Sequence, residues 1–278
     1  MDTRIENFTF KYNTRMWSKE KHRNESTHRI QRFVGVVGNI EMAEIDGSHL
    51  YRMMDALEAD GLSKATINRY VAAVQAVLSF ARASGMAARV ISVKTPSEEH
   101  RIRFFSDQEL DAIERFCDNP RIPMWFKEMC TLARYTGMRH SEISNLHARA
   151  KARVEEGADG LWWITLFETK NGDQRQVALY KQEAIDAARS LAAGFRYNAK
   201  EFYLLWNVLR ARVAPGDKDF VFHVFRHTAA SAMANDMRLN SDVIGQWLGH
   251  RNHKTTSKYI HIKPETIGDI AKRMAAAG

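Results

Sequence analysis

Apolar residues recur every three or four positions through the first third of the chain. Between residues 26 and 37, Ile30, Phe33, Val34 and Val37 share one face, and Ser26 and Thr27 stand where a helix cap belongs. Between 47 and 59, Leu50, Met53, Met54 and Leu57 repeat the pattern. After Ser63 it is clearest: Ile67, Tyr70, Val71, Val74, Val77, Leu78 and Ala81 fall at helical intervals, and Gly85 marks the stop. Three such helices can bury their stripes in one small core. The periodicity then lapses over 86–104, around Pro96 and the charged run Glu98-Glu99-His100-Arg101. This divides the chain into a helical domain over 1–95, a linker over 96–104 and a second domain over 105–278.

The second domain reads as mostly helical with one β element. Ser106-Asp107-Gln108-Glu109 has the form of a capping box, so a helix starts there. Another runs from about Met124 to Tyr135 and stops at Gly137. Residues 161–167, Leu-Trp-Trp-Ile-Thr-Leu-Phe, are β-branched and aromatic and read as a strand. Asn171-Gly172 suits a tight turn, and residues 174–179 can return as the partner strand. Helices are expected over about 181–193, 199–212, 224–236, 241–248, 254–260 and 265–276, the last after Pro264. The fold class is therefore mainly α with a small β-hairpin or sheet.

Composition narrows the setting. Forty-one Lys and Arg against 33 Asp and Glu give a net charge of +8, which favours polyanionic partners, nucleic acid first. The two cysteines, Cys117 and Cys130, form no CxxC pair, which argues against a disulfide framework and for a reducing compartment. No apolar signal core opens the chain and no apolar run spans a bilayer, so the expectation is a soluble cytoplasmic protein with no membrane contact.

Candidate chemistry lies in four short segments. Thr136-Gly137-Met138-Arg139-His140-Ser141-Glu142 sets Arg139 just past a helix-ending glycine, where its planar fork can hold a phosphate. Thr169-Lys170-Asn171-Gly172 puts Lys170 at the hairpin tip. In His223-Val224-Phe225-Arg226-His227, the His223 and Arg226 side chains are three residues apart and share a helix face. His223 and His227 also have the spacing of a metal pair. However, the zinc-protease form needs Glu where Val224 stands, and no nearby carboxylate or cysteine completes a ligand set, although His253 and His261 follow later. Leu248-Gly249-His250 comes next, and Tyr259 follows nine residues after His250. Taken singly, each has an ordinary explanation: a salt-bridged arginine, a solvated lysine, a histidine at a helix end, a packing tyrosine. On the helix after Ser63, Lys64 and Arg69 fall on the polar face as candidate DNA contacts.

The combination and order of these residues resemble the active site of the tyrosine recombinases, the family of phage integrases and of the recombinases that resolve chromosome dimers. The likeness runs through the motifs of residues 105–262 and extends by layout to the N-terminal helices, including the helix entry Ser63-Lys64-Ala65-Thr66-Ile67-Asn68. All six expected catalytic positions carry the expected residue types: Arg139, Lys170, His223, Arg226, His250 and Tyr259. Glu142 matches an acidic residue often found three positions after the first arginine. The region ahead of the first expected helix is about 20 residues, too short for the arm-site-binding domain of some phage integrases. The resemblance implies a helical N-terminal core-binding domain and a catalytic domain that close on double-stranded DNA. It implies a Tyr259 nucleophile forming a 3′-phosphotyrosine, and Lys170 as general acid. It further implies no metal and no cofactor, a homotetramer on two DNA sites with a tail helix docked on a neighbour or folded back, and room for accessory DNA-bending proteins. Three other readings stay open at this point. They are a type IB topoisomerase-like enzyme, a non-catalytic DNA-binding regulator with the same fold, and a metal-dependent nuclease.

Overall fold

The computed structural model describes residues 3–98, 103–167, 174–195 and 197–249. The chain divides into two units, Met1–His100 and Arg101–Gly278.

Among the described residues the first unit holds four helices: α1 (Ile5–Met16), α2 (Glu20–Val37), α3 (Gly47–Ala59) and α4 (Lys64–Ala83). Ser63 caps α4 by accepting from the Thr66 backbone N–H at 3.3 Å. Asp46 caps α3 through the N–H groups of Ser48 and His49. Ile30, Phe33, Leu50, Met53, Val74 and Val77 pack in the middle of the unit. Two expectations need correction. The helix expected at 26 begins at Glu20, and Ser26 is buried inside it rather than capping it. Helix α1 has no counterpart among the expected elements. The run Glu20-Lys21-His22-Arg23-Asn24-Glu25 is polar throughout and shows no stripe. In α1, Ile5, Phe8, Tyr12 and Met16 recur at helical spacing and pack on this core, a stripe the sequence carries although only the first two are fully buried.

In the second unit, α5 (Asp107–Cys117) starts with the expected capping box between Ser106 and Glu109. It is followed by α6 (Met124–Thr136), a single turn α7 (His140–Ile143), strands β1 (Ala152–Glu156), β2 (Trp162–Leu166) and β3 (Arg175–Leu179), then α8 (Gln182–Gly194), α9 (Ala199–Val213), α10 (Val224–Asn235) and α11 (Ser241–Leu248). The sheet is antiparallel in the order β1-β2-β3. β1 was not expected, because Arg153, Glu155 and Glu156 are exposed and only Ala152 is buried. An edge strand with one apolar side chain inside carries little hydrophobic signal. In the register, Leu166 faces Arg175 and Ile164 faces Val177. Cross-strand partners share a face, so Arg175 is on the apolar side of the sheet. Cys117 and Cys130 are free, buried thiols in contact with each other, and burial pushes Cys130 well above its ordinary pKa. The expected Asn171-Gly172 turn, the helices at 254–260 and 265–276, and residues 99–102 of the linker lie outside the described residues.

Candidate active site

The site is built where four chain segments meet at the C-terminal end of α11. A helix leaves its last carbonyls without intrahelical partners, and its C-terminus carries partial negative charge. Here three successive carbonyls each accept from a different arginine. Arg175 Nη1 donates to Trp247 O, Arg226 Nη2 to Leu248 O, and Arg139 Nη2 to Gly249 O at 3.3 Å. Consecutive Cα atoms are about 3.8 Å apart, so the guanidinium groups of Arg139 and Arg226 are near neighbours. They do not lie on opposite surfaces.

Two glycines permit this approach. Gly137 ends α6 with φ +64°, and a Cβ there would meet Leu248 Cδ2 at 2.8 Å and Ala229 Cβ at 3.2 Å. The bare backbone lets α6 reach α10 and α11, and Arg226 Nη1 donates to Gly137 O at 2.9 Å. Trp247 Nε1 donates to Thr136 O at 3.1 Å, tying α11 to the same helix end. Gly249, φ +67°, ends α11, and a Cβ there would lie 2.6 Å from Arg175 Cδ.

Glu142 organises the arginines. One of its oxygens accepts from Arg139 Nη1 at 2.8 Å, and the other accepts from the Arg139 backbone N–H at 2.8 Å and Arg175 Nη2 at 2.6 Å. Burial pushes the Glu142 carboxyl up. Arg175 and then the Arg139 backbone and side chain outweigh it, and hold the group below its ordinary pKa. Burial also pushes Arg175 down, with Glu142 opposing and Arg139 adding to the depression. A guanidinium stays charged regardless. The Arg139 and Arg175 guanidiniums both pair with the Glu142 carboxylate, and the Arg226 guanidinium lies on the adjoining carbonyl of Leu248. Two cations on one carboxylate leave positive charge in excess in a largely buried place, an arrangement suited to an anion.

The expected residues differ in depth. Arg226 is 2% exposed, whereas His223, the N-cap of α10, is exposed. The i, i+3 spacing therefore brings them close along the helix but not to equal depth. The His223 ring meets His227 edge to face at 5.0 Å. Burial pushes His227 below its ordinary pKa, and its Nδ1 lies 3.2 Å from Arg103 O. Lys64 and Arg69 are exposed on α4. Lys170, His250 and Tyr259 lie outside the described residues.

Arg175 was not singled out from the sequence. The signal was present: it is two and four residues before Val177 and Leu179, in phase with the inward side of β3, where a charge is out of place.

Residues 103–266, more than half of the chain, match the family model described as the phage integrase family. The chain belongs to the phage integrase family. It is thus a site-specific recombinase, a DNA strand-exchange enzyme. No curated protein matches the sequence significantly. Among solved structures, the protein is similar to the Tn1549 transposon integrase in complex with a circular-intermediate DNA (TM-score 0.72, 14% identity, 98% of this chain and 100% of that one). It is similar to the XerH site-specific recombinase bound to a palindromic difH substrate after cleavage (TM-score 0.69, 16% identity, 90% and 79%). It also resembles a lambda integrase dimer bound to a COC′ core site (TM-score 0.66, 15% identity, 93% and 95%). At these identities the likeness is one of fold. No described helix is long and apolar enough to cross a membrane.

Proposed function

We propose that the protein cuts and rejoins double-stranded DNA with Tyr259 as nucleophile. The phenol oxygen attacks a backbone phosphorus, the 5′ oxygen leaves, and a 3′-phosphotyrosine forms. The 5′-hydroxyl of a partner strand reverses the step and releases the tyrosine. Each step exchanges one phosphoester for another, so bond energy is kept in the covalent link.

The observation that supports this reading most is the convergence of Arg139 and Arg226 on adjoining carbonyls, with positive charge in excess of the Glu142 carboxylate. A phosphodiester in transition gathers negative charge on its non-bridging oxygens, and fixed guanidiniums stabilise that charge without reorganising. Tyrosine ionises near pH 10, so the attack needs a proton acceptor. His223 and His250 supply that function, and Lys170 protonates the departing 5′ oxygen. Lys64 and Arg69 are proposed as phosphate contacts of the first unit, which serves as a core-type DNA-binding domain over 1–95, joined through 96–104 to a catalytic domain over 105–278. Assembly is as a homotetramer on two DNA sites in the cytoplasm, with accessory DNA-bending proteins where the site requires a bend.

The test is covalent capture. Wild-type protein incubated with a randomised duplex pool retains DNA through denaturing wash, and peptide mapping locates the nucleotide on Tyr259. The Tyr259→Phe variant binds the same DNA and retains none. An adduct on another residue, or equal retention by Tyr259→Phe, rejects the assignment. Relaxation of plasmids with no sequence preference would instead favour a topoisomerase.

A further inference from the structure

We propose that Arg175 is a positioning residue for strand exchange: one guanidinium fixes both the Arg139 side chain and the turn that precedes residue 250. The inference rests on the recombinase reading above and deepens it.

The placement is costly and specific. Arg175 is 8% exposed and lies on the apolar side of β3. Its Nε is buried and has no hydrogen-bond partner among the described residues. An apolar residue would suit that face better, because a buried ion pair often contributes less than well-packed hydrophobic side chains of the same volume. Stability alone gives little reason for an arginine there.

Geometry gives a better one. Nη2 binds the Glu142 oxygen that also takes the Arg139 backbone N–H, while the other Glu142 oxygen holds Arg139 Nη1. With the carboxylate held on both sides, the Arg139 side chain cannot swing without breaking a charge-assisted bond. Nη1 of Arg175 meanwhile holds Trp247 O, and the Arg175 stem occupies the space that a side chain at Gly249 would fill. The fork thus joins β3, the α7 turn and the end of α11. A lysine has one charged nitrogen and no planar fork, so it cannot reproduce both contacts at fixed geometry. Arg175 does not need to touch DNA to act. It sets the group that does.

The experiment uses full-length protein and a duplex that the wild type retains covalently from the randomised pool. Three quantities are measured for wild type, Arg175→Lys and Arg175→Gln. These are melting temperature, DNA affinity in the Tyr259→Phe background, and the single-turnover rate of adduct formation at saturating protein. Misplacing a catalytic group by about an ångström costs on the order of 100-fold in rate, so Arg175→Gln is expected to lose about that much while affinity stays within about threefold. Arg175→Lys is expected to recover only a small part of the rate. Adding Arg175→Gln to Arg139→Ala should cost clearly less than the product of the two single losses, because part of the Arg175 effect runs through the Arg139 guanidinium and only the part through the α11 turn remains. The proposal is overturned if folded Arg175→Gln forms adduct at a rate close to wild type. It is equally overturned if affinity falls in step with rate, or if the two substitutions multiply. Should Arg175→Gln not fold, Arg175→Lys decides: a wild-type rate overturns the proposal and a loss of tenfold or more, about the scale of a displaced group, supports it. If the wild type itself retains no DNA from the pool, the recombinase reading fails first, and that outcome is distinct from all the others.

Discussion

His140 shows how closely the residues beside the site are held. It follows Arg139 directly, and its Nε2 lies 3.1 Å from the Tyr197 hydroxyl among the rings of Phe202, Tyr203 and Phe222. Burial lowers its pKa from 6.5 to about 4. The unfolded chain takes up a proton as pH falls through 6.5, whereas the folded chain resists until about pH 4. The stabilising contribution is therefore complete above pH 6.5 and is lost as pH falls toward 4. His227 shifts in the same direction, with burial its largest cause. Urea midpoints of wild type and His140→Phe, measured from pH 7.5 to 4.5, should converge in slope above the ordinary histidine pKa of about 6.5 and diverge below it, with the variant flatter. Parallel curves across that range would show that His140 titrates normally. At this scale the sequence was informative wherever a residue type carries its own chemistry. Arg139, His223 and Arg226 could be named as candidates from type and spacing, and Glu142 from the family resemblance. That Glu142 is the carboxylate shared between Arg139 and Arg175 could not, because the second arginine is 33 positions away and on another element.

Elements place these groups, and glycines decide how closely the elements approach. Gly85 and Gly137 both follow helices with positive φ, +80° and +64°. Nothing lies within 4 Å of a Cβ at Gly85, whereas one at Gly137 meets Leu248 and Ala229 at 2.8 and 3.2 Å. Gly85→Ala should cost only the left-handed backbone penalty, about 1–2 kcal/mol. Gly137→Ala adds overpacking between α6, α10 and α11, for a total of roughly 2–4 kcal/mol. Denaturant titration of the two variants separates them, and equal losses would mean that α6 does not press on α11 as described. Helix boundaries such as those of α4 and α11 were legible because an apolar stripe ends at a glycine in each. Strand β1 was not, because most of its side chains face water and leave no period to read, whereas α1 does carry a helical stripe in Ile5, Phe8, Tyr12 and Met16 that its polar surroundings mask. The meeting of α6, α10 and α11 was also hidden. It depends on the absence of a side chain at Gly137, and the sequence alone shows only that a helix stops there.

For the whole molecule, the net charge of +8 turns family membership into a measurable salt dependence. Phosphate contacts release counterions, and each lost contact lowers the slope of log affinity against log salt by about 1. Lys64→Ala and Arg69→Ala, both on α4, should each reduce the slope by about that amount while leaving the preferred DNA sequence unchanged. An unaltered slope in both variants removes them from the DNA surface. The most direct measurement concerns the charge gathered at the end of α11, where Arg139 and Arg226 are proposed to neutralise one phosphate together in its transition state. A duplex with a neutral methylphosphonate at the cleavage position has one negative charge fewer to neutralise. Adduct formation by Arg139→Ala and by Arg226→Ala should therefore fall by about 100-fold or more on the natural phosphate and recover much of that loss on the methylphosphonate. If both variants are as impaired on the neutral duplex as on the charged one, the two guanidiniums do not act on that phosphate.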